Sequence, residues 1–408
     1  MKLSTKKRAD YILGGLLLAV LKPLVILLGQ LFRRDHDPQL RGHLAVMKMV
    51  GGGSLVIALP ALLGLRRRFP DYRFTLVTTP SVAAFGRVLG VFDEVVVIDD
   101  RRLPALIASA AKALVRLRGV DTVIDFEAYS RLTTVLSLLT RARNRVGFYL
   151  ESSFWRRGVC THLIFFNRFS GTYHFYEAVG SLVGGSTATL EECGAYLRAN
   201  SRGMDDPSKL PAEASAARAG GRMALGFACS EMGRERMLRP DQWEAFLQPR
   251  LKGVTDVHLM GSAADRAGAA ELCARLASAF PAVTWHNDCD GRTLNDSLST
   301  MSRCSLFVGI DSALLHFARH LGLPTVSVWG PTDPSTRLKS FDPTRETAVY
   351  VKIPCSPCIH VAEEPPCRGY NICITSAIAA AAGLPAPGER ETLLPLYGLV
   401  SELPRRPV

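Results

Sequence analysis

The chain has 408 residues, 48% of them hydrophobic, and a formal net charge of +12. At roughly 150 residues per domain, that length carries two or three packed cores, which excludes a disordered or fibrous chain. The arginine clusters Arg66–Arg68, Arg101-Arg102, Arg141/Arg143/Arg145 and Arg156-Arg157 suit an anionic partner, and with no nucleic-acid-binding module legible the expected one is a phosphorylated sugar or lipid, not nucleic acid.

Residues 1–40 open with Lys6-Lys7-Arg8, then the apolar run Tyr11–Phe32, then Arg33-Arg34. The run is long enough to span a bilayer. Lys22-Pro23 lies at its middle, however, where a lysine costs about 2.5–3.5 kcal/mol to insert and a proline breaks a helix. The segment therefore reads as a bent, in-plane anchor on the cytoplasmic membrane leaflet, with a true span and a buried core helix as alternatives. No small-residue cleavage site precedes the next strand, so a signal peptide is the weaker reading.

From His43 a strand–helix alternation begins: strands at His43–Met49, Arg73–Thr79, Glu94–Ile98, Thr122–Asp125 and Arg145–Gly147, with helices at Leu55–Arg67 and near Leu132–Thr140. This spacing predicts a parallel, doubly wound sheet. The first turn, Lys48-Met49-Val50-Gly51-Gly52-Gly53-Ser54, lets a ligand approach the backbone, although it has neither the dinucleotide nor the Walker glycine spacing. Asp125 and Glu127 end the fourth strand, as caps or as chemistry. A Gly-, Ala-, Ser- and Pro-rich stretch over 198–222 predicts a linker.

A second alternation follows, with strands at Met223–Ala228, Asp256–Met260 and Ser305–Ile310 and helices at Pro240–Leu251, Ala263–Ala279 and Leu294–Met301. After its first strand, Ser230, Arg234 and Arg236 combine a hydroxyl with guanidiniums, which suits a diphosphate; a charged surface loop is the alternative. Asp265 follows Gly261 by four residues, as a ribose-holding carboxylate or as a first-turn helix residue. The stretch Phe307–Pro334 reads strand, helix, strand, turn, with Asp311 or Ser312 as N-cap and Gly330-Pro331-Thr332-Asp333-Pro334 as the second turn. A helix opening at the end of a strand presents free N–H groups to an anion, so the two turns together predict a diphosphate cradle. His316 belongs either to that cradle or to the core.

The elements Asp311-Ser312, His316 and Gly322–Pro334 resemble the donor-site motif of glycosyltransferase family 9, the bacterial heptosyltransferases. The resemblance implies an α/β GT-B fold, with two Rossmann-like domains facing across a cleft: an acceptor domain over 41–210, a donor domain over 211–385 and a closing helix or tail over 386–408. It assigns donor binding to Ser230, Arg234 or Arg236, Gly261, Asp265, Thr293, Asp311, Ser312, Ala313 (in place of the usual glycine), His316, Gly330 and Thr332. Lys48 matches the family's basic residue after the first strand, and Gly52 and Gly53 line the acceptor side. Ser54 stands where the family carries the aspartate proposed as catalytic base. Serine has no carboxylate, which leaves Asp125 and Glu127 as candidates to take the acceptor proton.

The implied activity is inverting transfer of a heptose or related sugar from a nucleotide-sugar donor, ADP-heptose foremost, to an anionic lipid-linked or lipopolysaccharide-core acceptor at the cytoplasmic face of the inner membrane. The alternative, which Ser54 keeps open, is an inactive nucleotide-sugar-binding scaffold or regulator of envelope-glycan assembly. No catalytic metal is implied, since this fold stabilises its leaving group with helix ends and basic side chains; Asp288-Cys289-Asp290 is accordingly not read as a metal site. Six of the ten cysteines are isolated and read as buried thiols of a reducing compartment, while Cys355, Cys358, Cys367 and Cys373 have a spacing that suits a structural zinc or iron.

Overall fold

The computed structural model describes residues 3–200, 221–229, 231–359, 367 and 371–382. The chain divides into two compact units, Met1–Thr189 and Leu190–Val408.

In the first unit, α1 (Leu3–Phe32) precedes β1 (His43–Lys48), α2 (Gly52–Arg68), β2 (Arg73–Thr78), α3 (Pro80–Leu89), β3 (Glu94–Val97) and α4 (Leu103–Arg116). After these come β4 (Thr122–Asp125), α5 (Arg131–Leu139), β5 (Asn144–Tyr149), β6 (His162–Phe165) and α6 (Thr172–Leu182). The strands form one parallel sheet in the order β3-β2-β1-β4-β5-β6. Leu44, Ala45, Val46 and Met47 are all fully buried because both faces of β1 are covered, which is why this strand reads as an unbroken apolar run.

The second unit runs α7 (Leu190–Asn200), β7 (Arg222–Gly226), α8 (Pro240–Leu247), β8 (Asp256–Met260), α9 (Arg266–Ala279), β9 (Thr284–Asn287) and α10 (Leu294–Ser302). It continues with β10 (Leu306–Ile310), α11 (Ala313–His320), β11 (Thr325–Val328), β12 (Glu346–Val349) and α12 (Ile372–Ala381). Its parallel sheet has the order β12-β11-β10-β7-β8-β9. Counted from the first strand of each unit, both sheets follow the same pattern, 3-2-1-4-5-6. In that pattern the winding reverses between the first and fourth strands, and ligands of such sheets bind at the carboxyl ends on either side of the reversal. The positions so marked are β1/β4 in the first unit and β7/β10 in the second.

The α/β class and two Rossmann-like sheets agree with the sequence reading. That reading did not include β6, β9 and β12, which are edge strands of mixed exposure without a continuous apolar run. The linker expected over 198–222 and the carboxyl-terminal helix expected over 386–408 fall largely or wholly outside the described residues, although α7 extends to Asn200.

The expected break at Pro23 is absent: α1 continues through it as one helix. Thr5–Phe32 is long and apolar enough to cross a membrane by length and composition, with a mean hydropathy of 2.4 over its best window, of which only 11% is buried. That exposure removes the core-helix alternative. One stripe of α1 is seated on α5, where Leu18 is buried with Val135 and Val159, while Leu16, Val20, Leu24, Leu27 and Leu31 are exposed.

Candidate active site

In the first unit the reversal point gathers acid and base. β1 ends on Lys48, and the chain then turns at Gly51, whose φ of 79° favours glycine, before α2 begins. β4, the neighbour of β1, ends on Asp125 and leads to Glu127. Glu127 Oε1 accepts the amides of Met49 (2.7 Å) and Val50 (3.0 Å) and lies 3.1 Å from Lys48 Nζ. Both side chains are buried. Burial opposes the Lys48 charge, but Glu127, Tyr176 and Asp125 outweigh it and raise the ammonium pKa.

Asp125 has a different role. Its Oδ2 accepts from Arg156 (2.9 Å) and from the Thr133 hydroxyl (2.8 Å), and its Oδ1 accepts the Glu127 amide (3.0 Å). Burial raises the Asp125 pKa, while Arg156 and these hydrogen bonds oppose the shift. These bonds tie the Asp125 carboxylate to Arg156, to α5 and to the Glu127 backbone. Arg156, grouped in sequence with Arg157 as a cluster suited to an anionic partner, is fully buried beneath it. Ser54 is half-buried in the first turn of α2, with its amide donating to the Gly51 carbonyl; Gly52 packs against the Phe85 ring, and Gly53 is half-buried beside it.

In the second unit the reversal point lies between β7 and β10. Arg236, in the turn after β7, donates from Nη1 to the Asp311 carbonyl (2.9 Å), and the same nitrogen lies 3.3 Å from Asp311 Oδ2. Arg234 is exposed on that turn, and Ser230 lies outside the described residues. Burial works against the Asp311 charge, yet Arg236, His316 and Arg337 hold its carboxyl well below the usual range. His316 Nε2 lies 3.6 Å from Asp311 Oδ1, and burial pushes the imidazole pKa down, so it is neutral at pH 7.

β10 and β11 are neighbours in register, Ile310 opposite Val328, so the turns that follow them adjoin. Ser312 is the N-cap of α11 in extended conformation, but its hydroxyl makes no cap bond. Among the described residues, the buried Ser312 Oγ and Thr332 Oγ1 have no hydrogen-bond partner, and neither do Asp311 Oδ2, Arg236 Nε and Glu235 Oε2. A buried polar group without a partner costs free energy, so this cluster at one sheet edge would suit a polar ligand. Ala313 is half-buried at the start of α11, where its methyl is compatible with helix and leaves its N–H available.

The remaining expected residues have local partners. Asp265 Oδ2 accepts from the Ser262 amide and hydroxyl, and Thr293 forms the matching cap on α10 with Asp296. Gly261 sits over Cys289, and Gly330 against α12, where an added Cβ would lie 2.7 Å from Cys373 Sγ. Asp288 and Asp290 are engaged by Arg292, and Asp288 also by His258. Cys355, Cys358, Cys367 and Cys373 line one small cavity beside Pro331, and burial pushes the Cys358 thiol up to about 11. Among the described residues, however, no group of three or more potential ligands is set to hold a metal ion, so the placed thiols do not fit the expected zinc or iron site.

Comparisons with known proteins find one family model and several solved structures to which this chain is similar. Residues 205–367 match the model of glycosyltransferase family 9 (heptosyltransferase). E. coli heptosyltransferase WaaC, solved with ADP-2-deoxy-2-fluoro heptose, superposes with a TM-score of 0.57 at 16% identity, covering 76% of this chain and 93% of that one. E. coli ADP-heptose lps heptosyltransferase II gives a TM-score of 0.55 at 16% identity over 76% and 91%. A family 9 glycosyltransferase from Veillonella parvula gives 0.54 at 16% over 78% and 86%. No curated protein matches the sequence.

Proposed function

We propose that the protein is an inverting glycosyltransferase, because residues 205–367 match the model of glycosyltransferase family 9 (heptosyltransferase). It moves a heptose or related sugar from a nucleotide-sugar donor, ADP-heptose by analogy with the ligand of WaaC, to an anionic lipid-linked or lipopolysaccharide-core acceptor at the cytoplasmic face of the inner membrane. One observation carries the reading: the unpartnered buried hydroxyls of Ser312 and Thr332 at the ends of adjoining strands, beside Arg236.

In this scheme Ser312, Thr332, Arg236 and the amides opening α11 hold the donor diphosphate, with Asp311 and His316 keeping Arg236 in place. Asp265 and Thr293 serve the nucleoside. The acceptor oxygen attacks the anomeric carbon, the bond from that carbon to the diphosphate oxygen breaks, and the charge that develops on the diphosphate meets preplaced donors. The acceptor proton passes to Glu127, which replaces the carboxylate missing at Ser54. Lys48, 3.1 Å from Oε1, holds the Glu127 carboxylate in place. The exposed apolar stripe of α1 supports a lipid-bound acceptor, because such a stripe lies in a membrane interface.

The test is turnover by the full-length protein in detergent with ADP-heptose and extracted acceptor lipid. ADP release with a matching mass gain of the acceptor is expected. Donor binding without release would favour the scaffold reading that Ser54 keeps open, and absence of donor binding would contradict both.

A further inference from the structure

A continuous run of hydrogen bonds in the first unit joins the apolar helix to the candidate base. It begins at Asp10, an acid just ahead of the apolar run of α1. Asp10 Oδ1 accepts from the Ser130 hydroxyl (2.6 Å) and the Leu132 amide (3.0 Å), and Oδ2 accepts the Arg131 amide (3.0 Å). The first amides of a helix have no partner within it, so α1 completes the start of α5. The fit is close: a Cβ on Gly14 would lie 2.5 Å from Arg131 Cβ. The Arg131 guanidinium lies over the rings of Tyr11 (4.0 Å) and Trp155 (4.7 Å).

From α5 the run goes inward. The Thr133 hydroxyl donates to Asp125, and Arg156 donates both to Asp125 and to the Glu127 carbonyl. Asp125 accepts the Glu127 amide, so Glu127 is fixed from both sides of its backbone. Its carboxylate then gathers the Met49 and Val50 amides and Lys48. Most of these groups are buried, where hydrogen bonds are strong and a displaced polar group is costly. The face of α1 away from α5 is apolar and exposed, so a bilayer that covers it favours the seated helix.

We propose that Asp10 is a positioning residue that couples the seating of α1 on an anionic lipid surface to the placement of Glu127. The proposal rests on the reading of Glu127 as base and of α1 as a membrane-interface helix. It implies a protein poised for transfer only where its lipid acceptor is present.

Amide hydrogen exchange on the full-length protein tests this without any turnover, using vesicles of phosphatidylcholine and phosphatidylglycerol in equal parts. Vesicles are expected to slow exchange at the amides of Met49, Val50, Glu127, Arg131 and Leu132 by about tenfold. Asp10→Ala is expected to co-sediment with the vesicles yet lose the slowing at Met49, Val50 and Glu127. Asp10→Asn, which keeps one acceptor oxygen, should fall between, and it carries the test if the alanine variant does not fold. In turnover, Asp10→Ala should lower kcat and leave the donor KM unchanged. Wild-type amides of Met49, Val50 and Glu127 that ignore the vesicles, or an Asp10→Ala protein that responds as the wild type does, would overturn the coupling. Coupling that persists in a protein without turnover would sink the Glu127 reading alone.

Discussion

Removing the Arg236 charge gives the most informative perturbation of the donor site. Asp311 is 3% exposed and holds its charge through Arg236 at 3.3 Å; the same guanidinium also bonds the Asp311 carbonyl. Arg236→Met leaves that carboxylate buried without its main counter-charge, a change that costs about 3–5 kcal/mol. At about 2–4 °C per kcal/mol for a domain of this size, the thermal midpoint should fall by roughly 10 °C. Arg236→Met combined with Asp311→Asn removes both charges and should recover most of that loss. Affinity for ADP should not recover, because a charge-assisted bond to phosphate, about 1.5–3 kcal/mol or roughly tenfold to a hundredfold in Kd, is gone in both variants. Thermal unfolding and calorimetric titration with ADP measure the two effects separately. A double variant that binds ADP as tightly as the wild type would refute the assignment of Arg236 to the diphosphate.

Three further outcomes follow from the same geometry. Glu127→Gln should reduce turnover by about a hundredfold to ten-thousandfold with donor affinity unchanged, whereas Ser54→Ala should change it by no more than a few fold; equal losses in steady-state assays would move the base away from Glu127. The second unit should lose stability as pH falls below about 6.5, since His316 is buried neutral with a lowered pKa and the unfolded state binds the extra proton; in urea unfolding at several pH values, His316→Asn should flatten that slope. Leu18→Ala should cost about 2–4 kcal/mol if α1 is an integral part of the first unit, and denaturant unfolding unchanged by it would mean that α1 is merely tethered.

How much of this was legible in sequence depended on how local each feature is. Asp311, Ser312, His316 and Thr332 lie within one strand–helix–strand–turn, so their neighbourhood follows from the order of the residues themselves. Lys48 and Glu127 come from strands that are distant in sequence, and only the order β1-β4 joins them. Arg156 was misread because an Arg-Arg pair after a tryptophan is ordinary surface composition; its burial depends on the chain returning beneath β4 after β5. Asp10 likewise looks like a charge flanking an apolar run, and nothing in its vicinity points to the start of α5. The edge strands β6, β9 and β12 were missed because strands with an open edge have no need of an unbroken apolar run.

In the proposed donor site an anionic diphosphate completes the hydrogen bonds of Ser312 and Thr332. The direct measurement is ADP titration, paired with thermal unfolding, of the wild type and of Ser312→Ala/Thr332→Val. With ADP absent, removing two unpartnered buried hydroxyls should leave the unfolding midpoint unchanged or raised, while ADP affinity drops by about a hundredfold. An equal Kd for the two proteins, or a wild type that binds no nucleoside diphosphate, would contradict it.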